Sequence, residues 1–155
     1  MAISIVREYL KNFNREHEII ELEQSTATVQ LAAQALGVAP ERIAKTLSFK
    51  SKEGAIVIVV AGDAKIDNKK FKTTFGLKAK MLSPEEVVEY TNHEIGGVCP
   101  LGITRDDVKI YLDESLKRFE TVFPACGSSN SAIKLTCAEL ETLCKYDSWV
   151  NVCNF

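Results

Sequence analysis

The segment Gly96-Gly97-Val98-Cys99-Pro100-Leu101-Gly102 places three glycines and a proline within seven residues. Glycine lets a backbone approach a ligand closely or take positive φ, and proline fixes a turn. Such a loop can therefore present its own N–H and C=O groups to something small. It reads as the wall of a binding site, against the alternative of a tight helix-to-strand connection. Lys45 is the second candidate. It follows Pro40-Glu41-Arg42-Ile43-Ala44 at the start of an otherwise apolar strand pattern, where an ammonium group can be partly desolvated and aimed inward; the alternative is a solvated strand-end lysine. A second small-residue turn, Gly127-Ser128-Ser129-Asn130, carries hydroxyls and an amide that can line the same cavity, although such turns ordinarily only join strands. Nucleophilic catalysis is disfavoured. Only His17 and His93 are available, and there is no G-x-S-x-G elbow, HExxH pair or phosphate-binding glycine-lysine loop. His93 could act as a base, but a histidine at a helix end is better read as a dipole partner. Cys99 has no base beside it in the sequence and is better read as a small hydrophobe.

These groups sit in a chain of 155 residues that is 46% hydrophobic and 26% charged, long enough for one domain with one core, expected over residues 1–155. The formal net charge of −2 excludes a generally basic nucleic-acid coat. Charge is nevertheless segregated: from Asp63 to Lys80 six lysines stand against two aspartates, a local +4 that leaves −6 for the remainder. Five cysteines (Cys99, Cys126, Cys137, Cys144, Cys153) include no C-x-x-C pair, which fits neither a zinc site nor a disulfide framework; reduced thiols in a cytoplasmic protein are expected, with no metal. The first residues carry charges where a signal peptide is apolar, and the longest apolar run, 55–61, is too short to span a bilayer. No membrane partner is expected.

The elements that must position these groups follow from periodicity. Ile5, Val6, Tyr9, Leu10 and Phe13 recur at helical spacing, and an extended stretch is expected over 17–22. Ser25 or Thr26 is the expected cap of an alanine-rich helix over 29–36 that stops at Gly37. Pro40 opens a short turn leading into a strand over 45–50. Ser51-Lys52-Glu53-Gly54 then turns the chain into the apolar strand 55–61, the expected centre of the core. A lysine-rich helix is expected over 68–74, and Ser83-Pro84-Glu85-Glu86 opens another that runs to about Thr91, just before the glycine loop. Strands are expected at 108–112, 121–123 and 132–135, and Thr136-Cys137-Ala138-Glu139 spells a capping box for a last helix through Leu143. This order predicts an α+β arrangement, a mixed α/β domain whose curved, barrel-like sheet is surrounded by helices, rather than a doubly wound parallel sheet.

Arg42-Ile43-Ala44-Lys45-Thr46-Leu47, then Ala61-Gly62-Asp63 with the lysine-rich helix after it, the glycine loop, and Gly127-Ser128-Ser129-Asn130 occur in that order along the chain. In order and spacing they resemble the YbaK/EbsC family, proteins similar to the editing domain inserted in bacterial prolyl-tRNA synthetases. The resemblance runs from about Ser25 to Leu143. It implies hydrolysis, in trans, of the ester linking a wrong, small amino acid to tRNA, with tRNA(Pro) the expected carrier. It also implies that Lys45 corresponds to the family's essential lysine and that Gly96 with Pro100 matches its G-x-x-x-P loop. On this reading Lys45, Gly96 and Gly97 are catalytic. Thr46, Val98, Cys99, Pro100, Leu101, Gly102, Gly127, Ser128, Ser129 and Asn130 bind the aminoacyl end, and Lys65, Lys69, Lys70 and Lys72 hold the acceptor stem through phosphates. The expected partners are aminoacyl-tRNA and, beyond it, prolyl-tRNA synthetase; neither DNA nor a cofactor is expected. Relatives that remove cysteine are expected to carry an aspartate near Ala132 and a basic turn where this sequence has Gly-Ser-Ser-Asn, so the chain departs from their pattern. The competing class is a non-catalytic module that binds a small molecule, tRNA or a synthetase.

Overall fold

The computed structural model of the protein describes residues 2–155. In chain order the elements are α1 (Ala2–Lys11), β1 (Ile20–Glu21), α2 (Val29–Leu36), β2 (Ile43–Lys50), β3 (Ala55–Ala61), β4 (Lys65–Ile66), α3 (Asn68–Phe75), α4 (Pro84–Thr91), β5 (Val108–Asp113), β6 (Phe123–Pro124), β7 (Ser131–Ala132), α5 (Cys137–Leu143), β8 (Tyr146–Val150) and β9 (Cys153–Asn154). Five strands form one mixed sheet in the order β6-β2-β3-β5-β8. β2 and β3 are an antiparallel hairpin, while β6 joins β2, β5 joins β3 and β8 joins β5 in parallel. β3 is the middle strand and every one of its residues is buried, which is why its sequence is a continuous apolar run without alternation. The expected mixed α/β class is what the chain adopts. Its five-stranded sheet is open at β6 and β8 and does not close into a barrel.

Local chemistry sets the helix boundaries. Ser83 with Glu86 and Thr136 with Glu139 form complete capping boxes at α4 and α5. α2 and α3 both end on a glycine in the left-handed region, Gly37 and Gly76. The cap of α2 is Thr28, which accepts from Leu31 N, rather than Ser25 or Thr26. Those two are used otherwise, since Ser25 Oγ accepts from Ala27 N and Thr26 Oγ1 donates to Ser131 O. The stretch expected to be extended over 17–22 begins instead as a 3-10 turn at Glu16–Glu18, and only Ile20–Glu21 pairs, with β7. The strands expected at 121–123 and 132–135 shrink to β6 and β7, joined by a single bridge between Val122 and Leu135, because Pro124 and the turn after it break the ladder.

Two packed regions support the sheet. Phe49, Phe71, Phe75 and Tyr111 stack in sequence with ring centroids 4.8–4.9 Å apart and tie α3 to the sheet. A smaller cluster of Ala32, Ala33, Ile43 and Phe123 seats α2 over the β2–β6 end, and the two alanines permit that close approach. This second packing brings α2 beside Lys45.

Candidate active site

β2 pairs with β6 only at Ile43 and Ala44, and further along the same edge with the segment around Met81. In that segment Leu82 N donates to Ser48 O (3.1 Å) and Lys50 N donates to Lys80 O (2.8 Å). The backbone groups of Ser48 and Lys50 thus point away from β3, and alternation along an antiparallel strand makes Thr46 do the same. Thr46 therefore aims its N–H and C=O into the gap between β6 and Met81. That gap is a cleft of about 350 Å³ lined by Lys45, Thr46 and Ser48 of β2, by Gly96 and Val98 of the glycine loop, and by Thr26, Ala27, Val29 and Ala32 at the start of α2. Ser131 and Ala132 close another side, and the exposed side chains of Met81 and Ile95 stand at the rim. Thr46 Oγ1 is buried and has no hydrogen-bond partner among the described residues.

Lys45 is half-buried. Its Nζ donates to Gly62 O (3.3 Å), and burial lowers its pKa from the usual 10.5, with the thiol of Cys153 and the carboxylate of Asp63 acting in the opposite direction. Consecutive strand residues leave opposite faces, so Lys45 and Thr46 flank the open strand edge from its two sides.

The glycine loop is held from behind. Gly96 lies at φ +89° against Ala27, and a Cβ on Gly97 would stand 2.5 Å from Ser128 N, so the loop and the Gly127-Ser128 turn lie backbone to backbone. Gly127 N donates to Gly97 O (2.9 Å), and Ser129 N donates to Glu94 Oε1 (2.9 Å). Behind the loop, His93 is fully buried with Nε2 at 2.8 Å from Leu101 O. Because that carbonyl can only accept, Nε2 carries the proton. Its Nδ1 is buried without a hydrogen-bond partner among the described residues, and burial lowers the pKa of the ring.

Of the residues expected at the site, Lys45, Thr46, Gly96 and Val98 line the cleft together. Cys99, Pro100, Leu101 and Gly102 do not; they are buried behind it, Cys99 packing against His93 and Gly102 against Ile5 of α1. Cys99 is wholly buried and its thiol is pushed up to about 12, so it is not a thiolate at neutral pH. Gly97, Gly127, Ser128, Ser129 and Asn130 are likewise outside the lining, where they brace it: Ser128 Oγ donates to Ser131 Oγ (2.7 Å) and Asn130 Nδ2 donates to Leu22 O (2.9 Å). Sequence reasoning missed the contribution of 26–32, because Thr26 read as a possible cap and the alanines as helix formers. It also placed the second wall one turn too early, at 127–130 instead of Ser131 and Ala132.

A model of the aminoacyl-tRNA editing domain matches residues 23–143. The chain belongs to the aminoacyl-tRNA editing domain family. Every residue lining the cleft falls inside that editing-domain match, whereas α1, β1, β8 and β9 lie outside it. The chain is 56% identical over 154 residues to "uncharacterized protein YwhH" of Bacillus subtilis (strain 168), covering 99% of this chain and 98% of that protein. It is 34% identical over 104 residues to the proline–tRNA ligase of Thermosipho melanesiensis, where the match takes in 66% of this chain and 18% of the ligase. A solved structure described as a candidate trans-editing enzyme for prolyl tRNA synthetase superposes with a TM-score of 0.87 at 31% identity, covering 99% of this chain and 98% of that one.

The lysines between 65 and 72 divide into two kinds. Lys65, Lys69 and Lys72 are exposed, and Lys69 and Lys72 line a depression with Asn68, Lys78 and Ala79. Lys70 instead donates to Cys153 O (2.9 Å) and holds β9 in place. Among the described residues no group of three or more His, Cys, Asp or Glu side chains could hold a metal ion, and no helix is long and apolar enough to cross a membrane.

Proposed function

We propose that the protein is a trans-acting aminoacyl-tRNA deacylase that hydrolyses the ester of a mischarged small amino acid, with tRNA(Pro) as the carrier. The observation that carries this reading is the convergence of Lys45, the open backbone edge at Thr46 and the glycine-loop residue Gly96 on one small cleft in an editing-domain chain. An aminoacyl ester is already activated, so hydrolysis needs it to be held, its carbonyl polarised and a water admitted, with no protein nucleophile. In this reading the Lys45 ammonium meets the ester or the adjoining phosphate. The N–H and C=O of Thr46 hold the amino acid's own backbone-like groups, and the glycine loop stabilises the oxyanion. The vicinal hydroxyl of the terminal ribose assists the proton transfers.

Selectivity follows from size. A cleft walled by Ala27, Ala32, Ala125, Ala132 and Val98 admits a small side chain and excludes larger ones, but separates similarly small ones poorly. Ala, Cys and Ser are all candidates. The exposed lysines at 65, 69 and 72 contribute salt-dependent, sequence-indifferent affinity for the acceptor stem. The resemblance to the candidate trans-editing enzyme supports prolyl-tRNA synthetase as the source of the mischarged substrate.

The test is to incubate the protein with tRNA(Pro) charged in turn with Ala, Cys, Ser and Pro, beside Lys45→Ala, and to follow loss of the ester. Lysine-dependent release of one small amino acid is expected. Binding without release from any of the four overturns the reading in favour of a non-catalytic module.

A further inference from the structure

The C-terminal residue of the sequence, Phe155, lies beyond the span matched by the editing family, and its side chain is placed unlike that of a core phenylalanine. It is 62% exposed, yet its ring is not free, since the Arg118 guanidinium carbon sits 4.2 Å from the ring centroid. Arg118 is itself pinned, donating from Nε to Ser115 O (2.9 Å) and from Nη1 to Asp63 Oδ2 (3.0 Å). The preceding backbone is fixed as well. β9 pairs with β4, Lys70 Nζ donates to Cys153 O, and Asn154 Nδ2 donates to Asp67 Oδ2 (2.8 Å). An aromatic ring is thereby held at the surface by a cation beneath it, with much of its area open to solvent.

Its position relative to the cleft gives this arrangement a use. Lys45 Nζ bonds Gly62 O, the next residue Asp63 bonds Arg118, and Arg118 underlies Phe155, an unbroken run from the cleft to the ring. Lys65, exposed, pairs with Asn154 beside it. An exposed aromatic face with cationic side chains beside it, here Lys65 and Arg118, is the chemistry by which single-stranded nucleic acid is held: cations follow the phosphates and the ring accepts a base, whatever its identity.

We propose that Phe155, backed by Arg118, is a stacking platform for an unpaired nucleobase at the 3′ end of an RNA whose terminal ester enters the cleft. The inference deepens the deacylase reading and rests on it. Phe155 acts by positioning, and it takes no part in the hydrolytic step.

The experiment measures binding of an uncharged RNA hairpin bearing a four-nucleotide single-stranded 3′ tail, and of the same hairpin without the tail, to wild type, Phe155→Ala, Phe155→Leu and Phe155→Tyr. Removing a stacked aromatic is expected to weaken binding of the tailed hairpin by about five- to a hundredfold. Leucine, apolar but without a π face, fails like alanine, whereas tyrosine restores affinity. The tailless hairpin binds all four proteins alike. Equal binding of the tailed hairpin by wild type and Phe155→Leu overturns the platform, as does an equal loss for both hairpins, which would mark a general fold defect or a surface meant for another protein. Wild-type turnover of charged tRNA, measured in parallel, separates the two readings. Turnover with no difference among the Phe155 variants removes the platform alone, and the expected binding series without turnover removes the deacylase alone.

Discussion

The cleft and the lysine-bearing surface meet at Gly62 and Asp63 but are built on opposite rules. In the cleft the groups that face inward are backbone edges and one half-buried ammonium, each fixed by something packed behind it: β3 behind Thr46, the Gly127-Ser128 turn behind Gly97, and His93 behind the loop. On the surface the groups are long, exposed side chains on a two-strand ladder and a short helix. Fixed donors can stabilise a developing charge without reorganising, while mobile charges supply attraction and steering but little geometry. The largest expected effect therefore falls on the one charged group that belongs to the cleft. Lys45→Ala is expected to lower the rate of deacylation by about a hundredfold or more with little change in thermal midpoint, because among the described residues the side chain makes one hydrogen bond, to Gly62 O. The same group is expected to set the alkaline limit. Since burial lowers its pKa, activity that needs the ammonium is lost as pH rises through a value below 10.5, an outcome read from the pH–rate profile of wild type.

Gly97→Ala sharpens the comparison from the other side. The new Cβ would stand 2.5 Å from Ser128 N and 2.6 Å from Gly127 C, distances that only a backbone shift can relieve. The expected cost is about 1–3 kcal/mol of stability, seen as a lower thermal midpoint, together with weakened turnover because Gly96 and Val98 move with it. A Gly97→Ala protein as stable and as active as wild type would show that the two turns are not pressed together.

Effects on the lysine surface are smaller and differ in kind. Neutralising Lys65, Lys69 and Lys72 to Gln is expected to flatten the dependence of log affinity for tRNA on log salt by roughly 0.7–0.9 for each phosphate that is no longer neutralised, with stability unchanged. Lys70→Gln behaves oppositely. It removes the bond to Cys153 O, so it lowers stability by about 1 kcal/mol and leaves the salt slope nearly untouched. Titrations at several salt concentrations, set beside melting curves, tell the two behaviours apart.

Much of this division was legible in the sequence wherever a residue's own chemistry decides the outcome. Gly37, Gly76, the Ser83 and Thr136 caps and the unbroken apolar run 55–61 fixed their elements by local rules, and the helices and central strand stand where those rules place them. Lys45 and Gly96 could be singled out for the same reason, and both line the cleft. What escaped depends on distant partners. β8 and β9 exist because β5 and β4 offer edges to them. Thr28 rather than Ser25 or Thr26 caps α2 because Thr26 is drawn to Ser131. Four residues after Val98 carried the same glycine-and-proline signal as those that line the cleft, yet they face the core, since a shaped loop has a back as well as a front.

The back of that loop supports the smallest and most specific effect. His93 is the buried support of Leu101 O, and burial makes its ring harder to protonate than an ordinary histidine at 6.5. In the unfolded chain the ring takes up a proton as pH falls through about 6.5, while in the folded protein it stays neutral to lower pH. The unfolded state then binds more protons, so stability is full above 6.5 and declines as pH drops below it, until the folded ring also titrates. Asp and Glu side chains titrate mostly below pH 5, which leaves the interval from 7 to 5.5 for histidine. In that interval the thermal midpoint of wild type should fall. His93→Gln, whose amide can still donate to Leu101 O, should fall less while retaining turnover at pH 7. Identical slopes for the two proteins would mean that burial does not hold the His93 ring neutral in the folded protein.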